Sequence, residues 1–351
     1  VLGGNNVNKS GSGLAKKLKK YKVDPSIIDQ WDLEVNDVSK VKAVFRLETT
    51  EGPKCFKEVT YGEEKLLFIL SAMEHLVANG FHDTVTYRPT KGGKPFVRNG
   101  NSIFFVTDWI EGKECDFDNK EHLAASCRTL ARFHLAAKGL KPMPGSKVKI
   151  MWGKWPRVFT KRCRDLLIFK ERARGKDKKS EFDRKFLACF QEAYTNGLKS
   201  IEILRNSNYP RLVQEAAKNL TFNHRDVAAR NFVIKPDGTA GLFDFDYCRY
   251  DIRTNDLVRL IERTLKNKRW DIRVADRILN LYQEINPIHP DEFPVLLAFF
   301  RFPQKLWRVA DRYYGEKKPW PEREFVNKIN EIMSGAERKE KFLREFEDKY
   351  C

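Results

Sequence analysis

Asn223-His224-Arg225-Asp226-Val227-Ala228-Ala229-Arg230-Asn231, followed further on by Asp244-Phe245-Asp246, decides the reading of this chain. Phosphoryl transfer from a magnesium nucleotide needs one carboxylate to orient or deprotonate the attacking hydroxyl. It also needs an amide and a second carboxylate to hold metal ions against the phosphates. The His-x-Asp-x-x-x-x-Asn spacing offers Asp226 as the base and Asn231 as a metal ligand, and Asp244 supplies the later carboxylate. Phe232–Lys235 and Gly241–Phe243 read as short strands around Pro236-Asp237-Gly238, a strong hairpin signal. A two-residue Asp237-Gly238 turn makes Asn231 and Asp244 cross-strand partners, roughly 4.5–5.5 Å apart. An amide oxygen and a carboxylate then converge, which suits a hard cation such as Mg²⁺. Asp246 falls on the same face as Asp244 if the strand continues, and is a candidate ligand for a second metal. His224 is read as a packing and hydrogen-bonding support of the loop rather than an acid–base group.

These groups point to a kinase fold, and the residues upstream read as its smaller lobe. Residues 36–107 are mainly strands: Val41–Leu47 alternates, Glu51-Gly52-Pro53 turns, and Cys55-Phe56-Lys57 begins the return, so Lys57 lies on a strand. A helix follows from Glu63 to Ala78, with Leu66, Leu67, Leu70, Met73 and Val77 at helical spacing and Gly80 as its stop. In kinases a strand Lys holds the α- and β-phosphates of ATP and pairs with a helix Glu. Glu63 and Glu74 share nearly one stripe, roughly 16 Å apart along the axis, so facing alone does not choose between them. Glu74 is preferred because it leaves room for a whole connecting loop. Ser102–Thr107 reads as a buried strand ending in Asp108-Trp109-Ile110-Glu111-Gly112, a candidate hinge at 108–112. Its backbone would bond adenine, and Trp109 or Ile110 would pack on it.

Beyond the hinge the chain reads as helical: 120–138, 155–173, 181–207, 257–265, 270–285 and 292–314. His134 is expected to be a satisfied core histidine, and most of Phe299, Phe300, Trp307, Tyr313, Tyr314 and Trp320 to be core as well. The division is thus 1–35 as a flexible tail, most evident from Val1 to Gly13, with an N-terminal extension; 36–107 as the small lobe; and 113–351 as a helical lobe carrying the catalytic loop 224–246.

Composition bounds the rest. The 351 residues are long enough for two lobes with sizeable cores. No secretory pattern or membrane-length apolar run is evident, so a cytosolic site of synthesis and no membrane partner are expected. Seven cysteines occur without a C-x-x-C pair, which argues against a zinc site or a redox motif. The net charge is +18, with basic runs at Lys16–Lys20, Lys170–Lys185 and Lys266–Arg269. Such a field favours anionic partners and disfavours a polycationic substrate. Zinc-finger spacing, RNP-like aromatics and a helix-turn-helix signature are all missing, so nonspecific nucleic-acid binding ranks as a minor alternative.

Asp226-Val227-Ala228-Ala229-Arg230-Asn231 also resembles the catalytic loop of protein tyrosine kinases, but Asp256 and its helix follow too soon for a peptide-binding platform, and no Ala-Pro-Glu is present. The Asp-Phe-Asp ending and large helical lobe resemble the aminoglycoside phosphotransferase and choline kinase superfamily. Lys54–Lys57, Glu63–Phe68, Val106–Gly112 and Phe243–Cys248 look like the CotS family of bacterial spore-coat proteins, over about residues 35–315. The resemblance implies an α+β, bilobal, protein-kinase-like fold of aminoglycoside phosphotransferase type, with a small mainly-β N-lobe bearing one helix and a large mainly-α C-lobe. It also implies ATP and Mg²⁺ as cofactors, a small-molecule hydroxyl substrate and other spore-coat proteins as partners. Synthesis in the mother-cell cytoplasm and then residence in the coat follow from it, as does a structural role for Asp256 at a helix start. Two departures stand out. Asp37–Lys42 replaces a Gly-rich loop, leaving Ser39 and Lys40 as substitute phosphate contacts, and Arg225 stands where small-molecule kinases have Gly. A catalytically silent coat protein that retains the fold is the alternative.

Overall fold

The computed structural model describes residues 9–351. Strands β1 (Val35–Val41), β2 (Val44–Thr49), β3 (Lys54–Val59), β4 (Tyr87–Arg88), β5 (Val97–Asn99) and β6 (Ser102–Asp108) form one antiparallel sheet ordered β1-β2-β3-β6-β4, with β5 on β6. Its pleat sorts the side chains. Val38, Leu47, Phe45, Phe56, Phe104 and Val106 face outward, while Cys55, Lys57, Ile103 and Phe105 face the rest of the molecule.

The outward face is covered by the N-terminal segment. Helices α1 (Lys9–Tyr21) and α2 (Pro25–Ile28) deliver Leu18, Val23, Ile27, Ile28 and Trp31 onto Phe45, Phe56 and Phe104. Trp31 is 1 % exposed, stands edge-on to Phe56, and donates its indole N–H to the Arg88 carbonyl at 2.9 Å. Of the stretch read as a tail, residues 1–8 lie outside the described residues, and Lys9 already begins α1.

Helix α3 (Glu63–Ala78) closes the inner face and ends at Gly80, whose φ of +79° lets the Phe81 N–H reach the Leu76 carbonyl at 2.9 Å. Its apolar stripe joins a central core that continues through β6 into α4 (Lys120–Ala136), so one hydrophobic cluster runs through both lobes. The larger lobe adds α5 (Trp155–Arg174), α6 (Glu181–Asn206), α7 (Tyr209–Lys218), α8 (Thr254–Asn267), α9 (Ile272–Gln283), α10 (Glu292–Arg301), α11 (Gln304–Ala310) and α12 (Glu322–Tyr350). A second cluster, built on Phe182, Phe186, Trp307, Tyr314 and Phe325, lies between α5, α6, α11 and α12. The helix expected over 292–314 is interrupted: α10 stops before Pro303, which has no N–H to continue the ladder, and α11 resumes at Gln304. None of the described helices is long and apolar enough to cross a membrane. The architecture is the α+β, kinase-like one, with a small sheet lobe above a helical lobe.

The segment read as catalytic lies among short strands: β7 (Lys113–Glu114), β8 (Phe222–Asn223), β9 (Phe232–Ile234), β10 (Ala240–Leu242) and β11 (Arg249–Tyr250). The β9–β10 register pairs Ile234 with Ala240 and Phe232 with Leu242, so Asn231 opposes Phe243, not Asp244. The loop holds three residues, Pro236-Asp237-Gly238, closed by the Gly238 N–H on the Lys235 carbonyl at 2.9 Å, with Gly238 at φ +80°. Counting the turn as two residues shifts the expected pairing by one position.

Candidate active site

The site is built up from Asp256, fully buried at the start of α8. Its two carboxylate oxygens accept the backbone N–H groups of His224 (2.7 Å) and Arg225 (2.8 Å), and His134 adds a third contact at 3.3 Å. Burial pushes the Asp256 carboxyl up, but the His134 hydrogen bond and the His224 backbone N–H outweigh it and leave it below its usual range. The loop is pinned from the other side by His224. Its Nδ1 accepts the Asp226 N–H at 3.3 Å, so the ring carries its proton on Nε2 and donates to the Phe243 carbonyl at 2.9 Å. Burial above all holds His224 and His134 neutral. Arg225 adopts φ +72°, a left-handed conformation that costs a residue with a Cβ about 1–2 kcal/mol. Its guanidinium is held by Asn255 and lies 5.6 Å from the Trp155 ring.

Asp226 emerges from this support with both oxygens engaged. Arg263 of α8 donates to Oδ1 at 2.6 Å, while Arg230 at 2.5 Å and the Asn231 amide at 3.0 Å donate to Oδ2. Partial burial raises its pKa, but the Arg263 bond, then the Arg263 and Arg230 charges and Asn231, bring it below the ordinary carboxylate range. Asn231 also donates to the Asp226 carbonyl at 2.8 Å, so its amide nitrogen is committed and its carbonyl oxygen is the end suited to a cation.

Lys57 reaches from β3 across the cleft to Asp244 and Asp246, 2.9 Å from an oxygen of each, and the Tyr61 hydroxyl donates to Asp246 at 3.0 Å. Burial lowers the Lys57 pKa, yet Asp246 and Asp244 outweigh it and keep the ammonium charged. The expected pairing of Lys57 with a helix glutamate is therefore replaced. Glu74 is exposed and accepts from the Tyr87 hydroxyl at 2.6 Å, and Glu63 pairs with Arg98 at 2.5 Å. The stripe of α3 that faces inward is apolar, which turns both glutamates away from the cleft. β10 ends at Leu242, so Asp244 and Asp246 share a direction for another reason than strand pleat. Asp244 sits at φ +68°, and fully buried Phe245 anchors the turn 4.9 Å from the His224 ring.

Of the substitutes for a Gly-rich loop, Ser39 pairs with Arg46 and shares the sheet face of Lys57. Lys40 points to the opposite face, 5.9 Å over Phe45. The β1–β2 tip turns at Lys42 (φ +55°), whose ammonium pairs with Glu114. At the hinge, the Asp108 carboxylate bonds Lys54 at 2.9 Å and the Thr86 hydroxyl, so that side chain is committed to structure. The N–H groups of Asp108 and Trp109 bond Thr86 and Pro53. The Trp109 ring carries the Arg46 guanidinium at 5.3 Å, and Ile110 packs on Gly241.

The donor set fits magnesium. Two carboxylates, Asp244 and Asp246, and one amide oxygen, Asn231, are hard ligands. Among the described residues no three His, Cys, Asp or Glu side chains form a closed metal cage. Mg²⁺ suits that arrangement, because it takes one or two carboxylates and completes its shell with phosphate oxygens and water. A cavity of about 230 Å³ lies elsewhere, lined by Trp270, Lys305, Arg301 and Lys339, and shares no residue with this set. Sequence reasoning missed Tyr61, Arg230 as a clamp, and Arg263. The last had a signal, because Arg259 and Arg263 lie three and seven residues after Asp256, on the helix face that meets the catalytic loop.

Compared with known proteins, the chain is 24 % identical to spore coat protein S of Bacillus subtilis (strain 168) over 328 residues, covering 93 % of this chain and 92 % of that one. The fold is similar to the crystal structure of an aminoglycoside phosphotransferase from Alicyclobacillus acidocaldarius subsp. acidocaldarius DSM 446, with TM-score 0.82, 22 % identity and coverage of 93 % and 96 %. It is also similar to spectinomycin phosphotransferase solved with ADP and spectinomycin, with TM-score 0.61, 12 % identity and coverage of 96 % and 99 %. The match to the family described as "Spore coat putative kinase YutH" runs over residues 24–346, through both lobes and the whole of the loop from His224 to Asp246, and the chain belongs to that family.

Proposed function

We propose that this protein is an ATP- and Mg²⁺-dependent phosphotransferase acting on the hydroxyl of a small molecule, in association with the spore coat and its other proteins. The observation that carries the reading is the convergence of Lys57, Asp244 and Asp246 from opposite lobes, beside a separately supported Asp226–Asn231 pair. Lys57 supplies one positive charge against the two negative charges of Asp244 and Asp246, and the excess negative charge suits a bound cation. A kinship of fold with a phosphotransferase solved with ADP is in keeping with it.

In this mechanism Lys57 binds the nucleotide phosphates, with Ser39 nearby on the same sheet face. The hinge from Asp108 to Ile110 borders the base. Asn231, Asp244 and Asp246 would hold the metal, which would supply neutralisation of charge on the phosphates. Asp226 is ionised and clamped by Arg263 and Arg230, so its first task is to accept the substrate hydroxyl's hydrogen bond and aim its oxygen. The proton passes to the carboxylate as the new bond to the terminal phosphorus forms and the bond from that phosphorus to the bridging oxygen breaks, releasing ADP.

A second reading, a coat protein that keeps the fold and does not use it, is favoured by one feature: the β1–β2 hairpin contains no glycine. Thermal unfolding with and without Mg·ATP separates the two. Saturation at a hundred times Kd adds about 2.7 kcal/mol, a rise of a few degrees for a chain of this size. The expected result is a magnesium-dependent rise that Asp244→Ala abolishes. No rise at millimolar Mg·ATP decides for the silent protein.

A further inference from the structure

Beside Asp226 the larger lobe gathers arginines that the phosphate end of the reaction does not use. Trp155, 3 % exposed at the start of α5, has three guanidinium groups around its ring: Arg249 at 5.3 Å, Arg225 at 5.6 Å and Arg162 at 6.0 Å. Arg162 also lies 4.2 Å over the Trp307 ring. From α8, Arg259 joins them, its Nε donating at 3.1 Å to the same Asn255 oxygen that holds Arg225. Arg263 stands one turn further along, against Asp226.

The local anions do not balance this group. Asp251 is taken by Arg249 at 2.8 Å and by the Trp155 indole at 2.9 Å. Asp256 spends its oxygens on backbone N–H groups and His134, and Asp226 is shared by Arg230 and Arg263. Among the described residues no carboxylate forms an ion pair with Arg162, Arg225 or Arg259: Gln304 and Asn255 hold them through neutral oxygens. Arg263 keeps a buried Nη1 without a hydrogen-bond partner. Crowding of like charge has the expected effect. Burial first, then Arg249, Arg308 and Arg259, push the Arg162 pKa down to about 10, and Lys149 at the rim is lowered by burial and by Arg249 and Arg225. Arg162, Arg225, Arg259 and Arg263 each keep part of their surface exposed, with the guanidinium groups of Arg225 and Arg259 the deepest of the four.

A surplus of forked donors held on neutral acceptors is the recognition chemistry of a carboxylate or phosphate, which guanidinium groups bind bidentately. It would repel an amino sugar. Resting on the reading of Asp226 as the residue that meets the acceptor hydroxyl, we propose that the acceptor is itself an anion: a small polyol or sugar whose carboxylate or phosphate binds among Arg162, Arg225 and Arg259 while its hydroxyl meets Asp226. Arg259 and Arg263 are four residues apart on α8, about 6 Å along the axis, so one small molecule spans both ends.

The test measures binding without nucleotide. The full chain is titrated with inorganic phosphate, glucuronate, glucose 6-phosphate, glucose and glucosamine at constant ionic strength set with NaCl, and followed by thermal shift and calorimetry. The expected result is that the anions bind, that glucose and glucosamine bind at least tenfold more weakly, and that Arg162→Gln and Arg259→Gln each weaken anion binding tenfold or more while Lys57→Met does not. The two variants check each other for folding through their unliganded melting temperatures. The glucuronate and glucose 6-phosphate arms distinguish a carboxylate from a phosphate. Absence of binding by all three anions, equal binding of glucosamine, or anion binding lost with Lys57 and kept without Arg162 and Arg259 overturns the proposal. Failure of Mg·ATP to bind while the arginine-dependent anion binding persists would sink the kinase reading alone.

Discussion

At the scale of single residues the active loop is held by groups that must keep one protonation state. His224 accepts the Asp226 N–H through Nδ1 and so serves only as a neutral ring, and His134, bonded to Tyr282 at 2.8 Å, is likewise buried. Both have folded-state pKa values below the unfolded 6.5, chiefly through burial. The stability they contribute is therefore complete above pH 6.5 and is lost as the pH falls below it, because the unfolded chain then binds protons that the folded one refuses. Each contributes a slope of up to about 1.4 kcal/mol per pH unit. Asp256 and Asp226, also depressed, add their loss only as the pH falls through and below the unfolded carboxylate value of 3.8. Urea unfolding at a series of pH values is expected to show stability falling from about 6.5 downward, in two stages; a flat profile between pH 7 and 5 would contradict the assigned role of the histidines.

At the scale of elements, β9 and β10 decide where the proposed metal ligands lie, and Gly112 decides where the proposed hinge lies. A Cβ on Gly112 would sit 2.3 Å from the Ile234 carbonyl oxygen and 2.6 Å from Val233 Cγ1, so the hinge passes β9 at backbone contact. Gly112→Ala must push the hinge off the hairpin, and overpacking of this kind costs about 1–3 kcal/mol. An unfolding free energy within about 0.5 kcal/mol of wild type, from the urea midpoint at an unchanged slope, would show that the contact yields freely. The hairpin also marks what the sequence could tell. Its strands and turn were legible because Pro236-Asp237-Gly238 fixes them locally. The register was not, because a two-residue and a three-residue loop differ by one hydrogen bond. The same limit separates Lys57 from its partner. Periodicity gave α3 its bounds and showed Glu63 and Glu74 on one stripe, but which way that stripe turns depends on packing against the sheet. α1 was hidden because its small and basic residues read as a tail until Phe45, Phe56 and Phe104 give Leu18 and its neighbours something to cover.

At the scale of the molecule, the two lobes share a core rather than meeting at a hinge alone. Val59, Leu66 and Leu70 from the sheet lobe belong to one cluster with Leu130, Phe133, Phe222 and Phe245 of the helical lobe. Polar contacts run parallel to it. The Thr84 hydroxyl donates to the Leu242 carbonyl at 2.9 Å, the Leu242 N–H returns to the Asp83 carbonyl at 2.8 Å, and the Asp83 carboxylate receives Lys235 at 2.6 Å and Arg132 at 2.8 Å. Separating the lobes would expose that cluster and leave Asp83 facing away from both cations, so the two lobes are expected to unfold together. The outer layer differs, since α1 and α2 cover a face of the sheet on which the central core does not depend. Hydrogen exchange in increasing urea is expected to show α3 and α4 losing protection together, at the global transition, with α1 opening first. Should α3 lose protection at lower urea than α4, the lobes are independent folding units and the cleft between them is free to open without cost to either core.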